Sequence, residues 1–320
     1  MAINLDARDA ASRPARPGPA GAAPRRSTGP AGRRHGRAVL PWLYLAPALL
    51  LLGVFRFWPT IWGIYLSFFN VRPYLGNQWI GLANFRQAFD DPALRSAVGH
   101  TLVDAVASVA GSVVLGFCLA LLLEGPARHL RMLRTAVFLP VVVSMVAAAE
   151  LWNDLLFPAG YGGANSVVGL LGLGPYPYLS SPHSALASVI GIQIWKSAPY
   201  DMMIFVAGLA GIDTELYEAA AIDGAGGWQR FRYVTLPLLQ PIILIVTLFS
   251  VIFTFADFQL VYVLTHGGPQ NATHLFATYA FDIAMGAGQL GMGASIALTM
   301  LPALALLIVA ISLYLRRKNA

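Results

Sequence analysis

The sequence predicts an all-α polytopic membrane protein, and three observations carry that prediction. Hydrophobic residues make up 57% of the 320-residue chain and charged residues only 11%, against about 25% charged in a soluble domain. Mean hydropathy is +0.63. The apolar residues gather into runs long enough, at about 1.5 Å of rise per residue, to cross a hydrocarbon core of about 30 Å. Arginine-rich segments separate or flank several of these runs, as expected where loops stay on the cytoplasmic side. Cys118 is the single cysteine, so neither an internal disulfide nor a cysteine metal site is available.

The formal charge of +6 suggests a nucleic-acid partner until it is located. Arg8, Arg13, Arg16, Arg25, Arg26, Arg33, Arg34 and Arg37 face only Asp6 and Asp9, so the whole excess lies in residues 1–38 and the rest balances. Rich in Pro, Gly, Ala and Arg, this tail is expected to be a disordered cytoplasmic segment beside anionic lipid. No nucleic-acid partner is expected.

Residues 39–318 are expected to form one transmembrane domain of six spans. The first, 40–69, is longer than the bilayer needs and contains Arg56. An arginine at mid-membrane costs about 3 kcal/mol, so it either snorkels or pairs, or it marks the outer end of a shorter span. In the outer loop that follows, Asp91-Pro92 reads as the start of a short helix. The second span is 101–123, and Arg128, Arg131 and Arg134 place the next loop inside.

The third span, 137–156, holds Pro140 and Glu150. An outer segment without charged side chains leads to the fourth, 184–209, where Lys196 lies roughly 18 Å along the helix and Asp201 follows beyond Pro199. Such groups should face a bundle interior or a wet cavity. Glu150, Lys196 and Asp201 are the candidates for intramembrane ion pairs. The fifth span, 238–263, carries Asp257, and Gly267-Gly268-Pro269 beyond it form a turn cluster that can break a helix. The sixth, 292–315, ends at Arg316, Arg317 and Lys318, which keep the C-terminus inside with the N-terminus.

Between spans four and five lies a charge-bearing cytoplasmic loop, 212–237. Glu218 to Ile222 are good helix formers, Gly224, Gly226 and Gly227 interrupt them, and Trp228 to Val234 suit a second short amphipathic helix before Pro237. On composition alone this is either a docking knob or an interfacial helix pair without a partner.

Motifs for catalysis are absent: no GxxxxGK[ST] phosphate loop and no HExxH or comparable metal spacing. The chain is not expected to be an enzyme or to bind a metal or cofactor. Transport, channel formation and membrane scaffolding are left. A self-contained secondary transporter would require an inverted repeat and a broken-helix ion site, and a scaffold would leave the intramembrane charges without a task. For a sugar-like solute, Gln193, Trp195, Tyr200 and Asp257 offer the needed hydrogen-bonding groups and aromatic faces.

The order Glu218-Ala219-Ala220, Asp223-Gly224-Ala225, Leu236-Pro237 resembles the signature loop of permease subunits of binding-protein-dependent ATP-binding-cassette importers. Gly81-Leu82 with Asn84-Phe85, Asp91-Pro92, Trp195-Lys196 with Pro199, and Leu264-Thr265 before Gly267-Gly268-Pro269 and Thr273 are similar to the first permease of maltose-type and glycerol-3-phosphate-type systems. The resemblance implies a six-helix type I importer permease in a bacterial inner membrane. It also implies a second homologous permease, two cytoplasmic ATP-binding subunits that hold ATP and Mg, and an extracytoplasmic solute-binding protein. Glu218, Ala219, Ala220, Asp223, Gly224, Leu236 and Pro237 would then couple this chain to the ATPases. Asp213 stands where the subfamily commonly has proline, which replaces a rigid start by an Asp cap. Oligosaccharide, monosaccharide, polyol and glycerol phosphate all fit as solutes.

Overall fold

The structure, a computed structural model, describes residues 34–72, 76–125, 127–156 and 162–318; most of the basic tail lies outside these. Its first helix, α1 (Arg34–Leu52), starts within that tail and runs into a π-helical turn, Gly53–Phe57, that contains Arg56. One compact unit ends at Phe57 and the second begins at Trp58. The second opens with α2 (Trp58–Leu66) and a hairpin of β1 (Phe69–Arg72) and β2 (Gly76–Trp79), paired antiparallel from Phe69 opposite Trp79 to Arg72 opposite Gly76.

Short α3 (Ala83–Asp90) leads to α4 (Pro92–Leu122). Asp91 caps α4 by accepting from the Ala93 N–H at 2.9 Å, with Pro92 in the first turn. The expected short helix and second span are thus one 31-residue helix, since no residue between Ala93 and Thr101 stops the propagation Asp91 begins. The third span departs further from expectation. It divides into α5 (Arg128–Val142) and α6 (Met145–Leu155), bent by 96°. Pro140 removes a donor near the end of α5, and the Ser144 hydroxyl accepts from the Ala147 N–H to start α6 afresh.

The outer segment contains α7 (Gly163–Leu170), where Asn165 bonds both the N–H and the carbonyl of Tyr176. Helix α8 (Pro182–Leu209) runs over the residues 184–209 of the expected fourth span. Loop helices α9 (Thr214–Ile222) and α10 (Gly227–Arg230) follow, and α10 passes through a π-helical turn, Phe231–Thr235, into α11 (Leu236–Ala256). The expected separate amphipathic helix is therefore the first part of the fifth span, the widened turn accommodating Pro237. That span also stops early: Asp257 adopts an extended backbone, and the chain restarts as α12 (Gln259–Thr265).

The glycine cluster at 267–268 makes a tight turn. His266 and Gly267 both have positive φ, and the Thr273 hydroxyl, fully buried, bonds Thr265 Oγ1 and the Gly268 carbonyl. A Cβ on Gly267 would run into the His274 ring, whose burial shifts its pKa down and favours the neutral imidazole. Then come α13 (Phe276–Phe281) and, after another π-helical turn, α14 (Leu290–Lys318). Tyr279 donates to Asp91, fastening α13 to the head of α4, and burial with this bond raises the phenol pKa.

Among the described residues three helices are long and apolar enough to cross a membrane, Tyr44–Leu66, Pro92–Leu122 and Gly227–Phe255, or four if α5 and α6 are one broken span. Apart from the hairpin the protein is an all-α, polytopic bundle. Neither α8, whose apolar run holds Lys196 and Asp201, nor α14, with its apolar stretch Leu290–Leu306, is among these three or four.

Three apolar clusters hold the second unit. Leu94, Phe276, Tyr279 and Ile296 join α4, α13 and α14; Val189, Ile192, Leu260 and Leu264 join α8 and α12; Met202, Phe205, Leu209, Leu239 and Val246 join α8 and α11. Gly116 allows α4 to approach α8 closely, because a Cβ there would lie 2.7 Å from the Ala198 carbonyl oxygen.

Candidate functional site

Helices α4, α8 and α11 pack together and leave a cavity of about 440 Å³ between them, to which many polar residues contribute. Ser108 and Ser112 come from α4, Met145 from the start of α6, and Gln193, Lys196, Ser197, Tyr200 and Asp201 from α8. Ser250, Phe253 and Thr254 from α11 and Asp257 from the break beyond it complete the wall. Helical spacing explains the convergence: Ser108 and Ser112, and Gln193, Lys196, Ser197 and Tyr200, recur at three- and four-residue intervals on one face of their helices.

Of the four residues expected on a solute path, Gln193, Tyr200 and Asp257 line this cavity. Trp195 lies elsewhere, meeting Trp152 edge-on at 5.3 Å between α8 and α6. Gln193 is 6% exposed, Asp201 2% and Tyr200 45%. Asp201 Oδ1 accepts from the Ser250 hydroxyl at 3.2 Å and the Ser112 hydroxyl also bonds this carboxylate, while the sealed Gln193 Oε1 has no partner among the described residues. Asp257 turns Oδ1 toward the N–H of Leu260 at 3.4 Å, at the head of α12.

Lys196 makes no ion pair with Asp201 or Glu150 among the described residues. Its ammonium donates to the carbonyls of Pro140, Val141 (3.3 Å) and Val143 at the end of α5. The last carbonyls of a helix have no partner within it, and a cation there meets both their hydrogen-bonding need and the negative end of the helix dipole. A half-buried charge and a broken helix thus resolve each other. Glu150 is exposed on α6.

The contribution of α4 escaped sequence reasoning. Asp104 is 3% exposed and accepts from Ser108 at 3.0 Å, and Ser112 is buried one turn further on. The four-residue spacing of Asp104, Ser108 and Ser112 was the available signal.

The loop at 212–237 is a second candidate site, this one at the surface. Asp213 takes the N-cap position of α9 without a side-chain hydrogen bond. At the other end, with Asp223 as the C-cap, the Ala225 N–H bonds the Ala220 carbonyl and the Gly224 N–H bonds that of Ala221, while Gly224 has φ +77°. This is the Schellman arrangement, which a residue with a side chain adopts only under strain. Glu218, Ala219 and Pro237 are exposed, with Ala220 and Leu236 partly so. Ile222, Trp228 and Tyr233 are 87%, 73% and 74% exposed. The Tyr217 hydroxyl meets Thr235 Oγ1 at 3.0 Å, tying α9 to the base of α11.

Residues 105–319 match the family of binding-protein-dependent transport system inner membrane components. The chain belongs to this family. A probable ABC transporter permease protein of Pyrococcus horikoshii is 34% identical over 275 residues, covering 85% of this chain and 94% of that protein. The trehalose/maltose transport system permease protein MalF of Thermococcus litoralis is 30% identical over 266 residues, covering 83% and 90%. The fold is shared with a bacterial ABC transporter involved in the import of the acidic polysaccharide alginate, with TM-score 0.78 and 23% identity over 88% of this chain and 96% of that one.

As an ABC permease the chain is a non-catalytic subunit of a multi-subunit membrane transporter. No group of three or more His, Cys, Asp or Glu residues suited to a metal occurs among the described residues.

Proposed function

We propose that this protein is one of two transmembrane permease subunits of a type I importer that carries a sugar-like solute into the bacterial cytoplasm. The observation that carries this reading is a direct mechanical connection. The exposed helix-glycine-helix at 212–237 is flanked by α8 and α11, and these two helices form most of the cavity wall. Two ATP-binding subunits, holding ATP and Mg, dock on Glu218, Ala219, Ala220, Asp223 and Gly224, with Leu236 and Pro237 at the base of the lever. Closure of those subunits tilts α8 and α11 and opens the cavity to alternate sides. A second, homologous permease completes the pathway, and an extracytoplasmic solute-binding protein delivers the solute.

In this arrangement the polypeptide crosses six times in the inner membrane, with α5 and α6 as one broken crossing, α8 and α14 as two further ones, and both termini cytoplasmic. Arg128, Arg131 and Arg134, and Arg316 to Lys318, support that orientation. The basic tail lies on the same side. The sugar-like solute is supported by relatives named for trehalose/maltose and, in Rhizobium radiobacter, for lactose.

The test is capture of the complete complex from a membrane extract, followed by Glu218→Ala and Gly224→Val. We expect two ATP-binding subunits and a second permease to co-purify, and each substitution to cut uptake and solute-stimulated ATPase activity at least tenfold. Normal uptake with both changes would eliminate the coupling role.

A further inference from the structure

A second cleft lies apart from the cavity between α4, α8 and α11, where β1, α3 and the start of α14 meet. Its volume is about 450 Å³, within the range of small-molecule sites. It gives a role to Asn84, which the sequence singles out beside Phe85 and the transport reading leaves unused. Asn84 is 6% exposed, and its Nδ2 donates to the carbonyls of Ser67 at 2.8 Å and Phe69 at 3.0 Å. Two carbonyl partners fix that end as the NH₂ and leave Oδ1 as the other. Oδ1 has no hydrogen-bond partner and is not sealed, so it opens on the cleft that Asn84 lines. The floor is tight: a Cβ on Gly291 would run into the Phe69 carbonyl oxygen, so α14 approaches the hairpin this closely only with glycine there.

The rest of the wall carries hydrogen-bonding groups without partners. Asn70 from β1, Gln87 from α3 and Gln289 just before α14 make no side-chain hydrogen bond among the described residues. The Ile80 N–H donates to the Phe68 carbonyl and Phe69 stands opposite Trp79, so the backbone groups of Phe69 and Val71 turn away from β2. Asn84 bonds the Phe69 carbonyl, and Val71 keeps its N–H and C=O for the cleft. Each amide offers both donors and an acceptor, as a sugar hydroxyl does. No charged side chain lines the cleft among the described residues, and the half-buried Phe69 ring adds an apolar face.

We propose that this cleft is a second saccharide site, which holds a neutral sugar outside the membrane before it enters the cavity between α4, α8 and α11. The proposal rests on the importer reading, which puts this end of α14 on the extracytoplasmic side. Sugar hydroxyls meet Asn84 Oδ1 and the amides of Asn70, Gln87 and Gln289. These groups come from three separate elements, so a ligand with several hydroxyls engages them together and one with a single polar group does not. An ion would find no opposite charge in the wall. A polypeptide strand added to β1 would need a run of free backbone groups, and Val71 alone supplies them.

The test reads occupancy at the cleft itself, in the complete transporter in lipid nanodiscs without solute-binding protein. Gln289→Cys is made in a Cys118→Ala background, and its reaction with a membrane-impermeant maleimide is timed with and without maltose, trehalose or lactose at millimolar concentration. We expect at least one of these neutral disaccharides to slow labelling about fivefold by mass action. Arg86→Cys, on exposed α3 but outside the lining, should label at one rate throughout. Adding Asn70→Ala with Gln87→Ala should abolish the protection, while Tyr200→Ala in the membrane cavity should preserve it. Unchanged labelling with all three sugars, equal protection of Arg86→Cys, protection that survives Asn70→Ala with Gln87→Ala, or protection that Tyr200→Ala removes would overturn the proposal. Protection produced only by sugar-free solute-binding protein would overturn it too, by assigning the cleft to a polypeptide. Failure of the partner subunits to co-purify with the wild-type chain would instead count against the importer reading.

Discussion

The loop at 212–237 and the cavity between α4, α8 and α11 are the two polar regions that bear on function, and they are built in opposite ways. The loop exposes its apolar residues and holds its shape through near neighbours: Gly224 and Ala225 close onto Ala221 and Ala220, and Gly226 donates to Gln229 at 2.7 Å. The cavity buries its polar residues and depends on partners far away in sequence, Asp201 on Ser250 and Lys196 on Pro140. A surface proposed to be gripped by a partner needs local stiffness. A path through lipid needs polar groups assembled from several helices, because no single membrane helix can afford them all.

That contrast predicts where damage spreads. The largest effect is expected from Lys196→Met, which leaves the terminal carbonyls of α5 unmet in an apolar setting at about 1–3 kcal/mol each. Thermal unfolding of the complex should fall by several degrees and uptake should be lost, with Lys196→Arg restoring much of both; a tolerated methionine would mean that the α5–α6 break holds itself. Tyr200→Ala should weaken solute affinity roughly tenfold while Trp195→Ala leaves it within about twofold, since only the first side chain lines the cavity. Equal losses in a binding assay would erase the distinction between the two faces of α8. The smallest effect belongs to Tyr217→Phe, which removes one hydrogen bond between α9 and Thr235, worth about 1 kcal/mol. It should lower the ratio of solute transported to ATP hydrolysed without changing solute affinity, and a change in affinity would show that loop and cavity are less separate than their construction suggests.

The same contrast governs what could be read from the sequence. Gly224 was legible because every contact of its turn lies within five residues. Gln193, Lys196 and Asp201 were legible as polar groups in an apolar run, yet their partners were not: a lysine beside an aspartate suggests an ion pair, and only the bent path of α5 shows why carbonyls claim it. Ser108 and Ser112 are hard to read because serine is cheap in a membrane helix and hydropathy averages it away, and Asp104 gains its meaning only from the buried bond that Ser108 donates to it. The breaks at Val143-Ser144 and Asp257-Phe258 fall among apolar residues without glycine, with Pro140 as the one nearby clue. Helix α4 is longer than its apolar run because the start signal at Asp91-Pro92 and the run from Thr101 belong to one helix.

The π-helical turn at Phe231–Thr235 has a consequence for register. Such a turn holds one more residue than an α-helical turn would, and each residue rotates a helix by about 100°. Because α10, the turn and α11 are continuous, removing one residue there would swing Trp228 and the exposed face of the loop about a quarter-turn around the axis relative to Ser250 and Thr254. The spelling of five residues at the membrane surface therefore sets the angle at which the two ends of one shaft are keyed to each other.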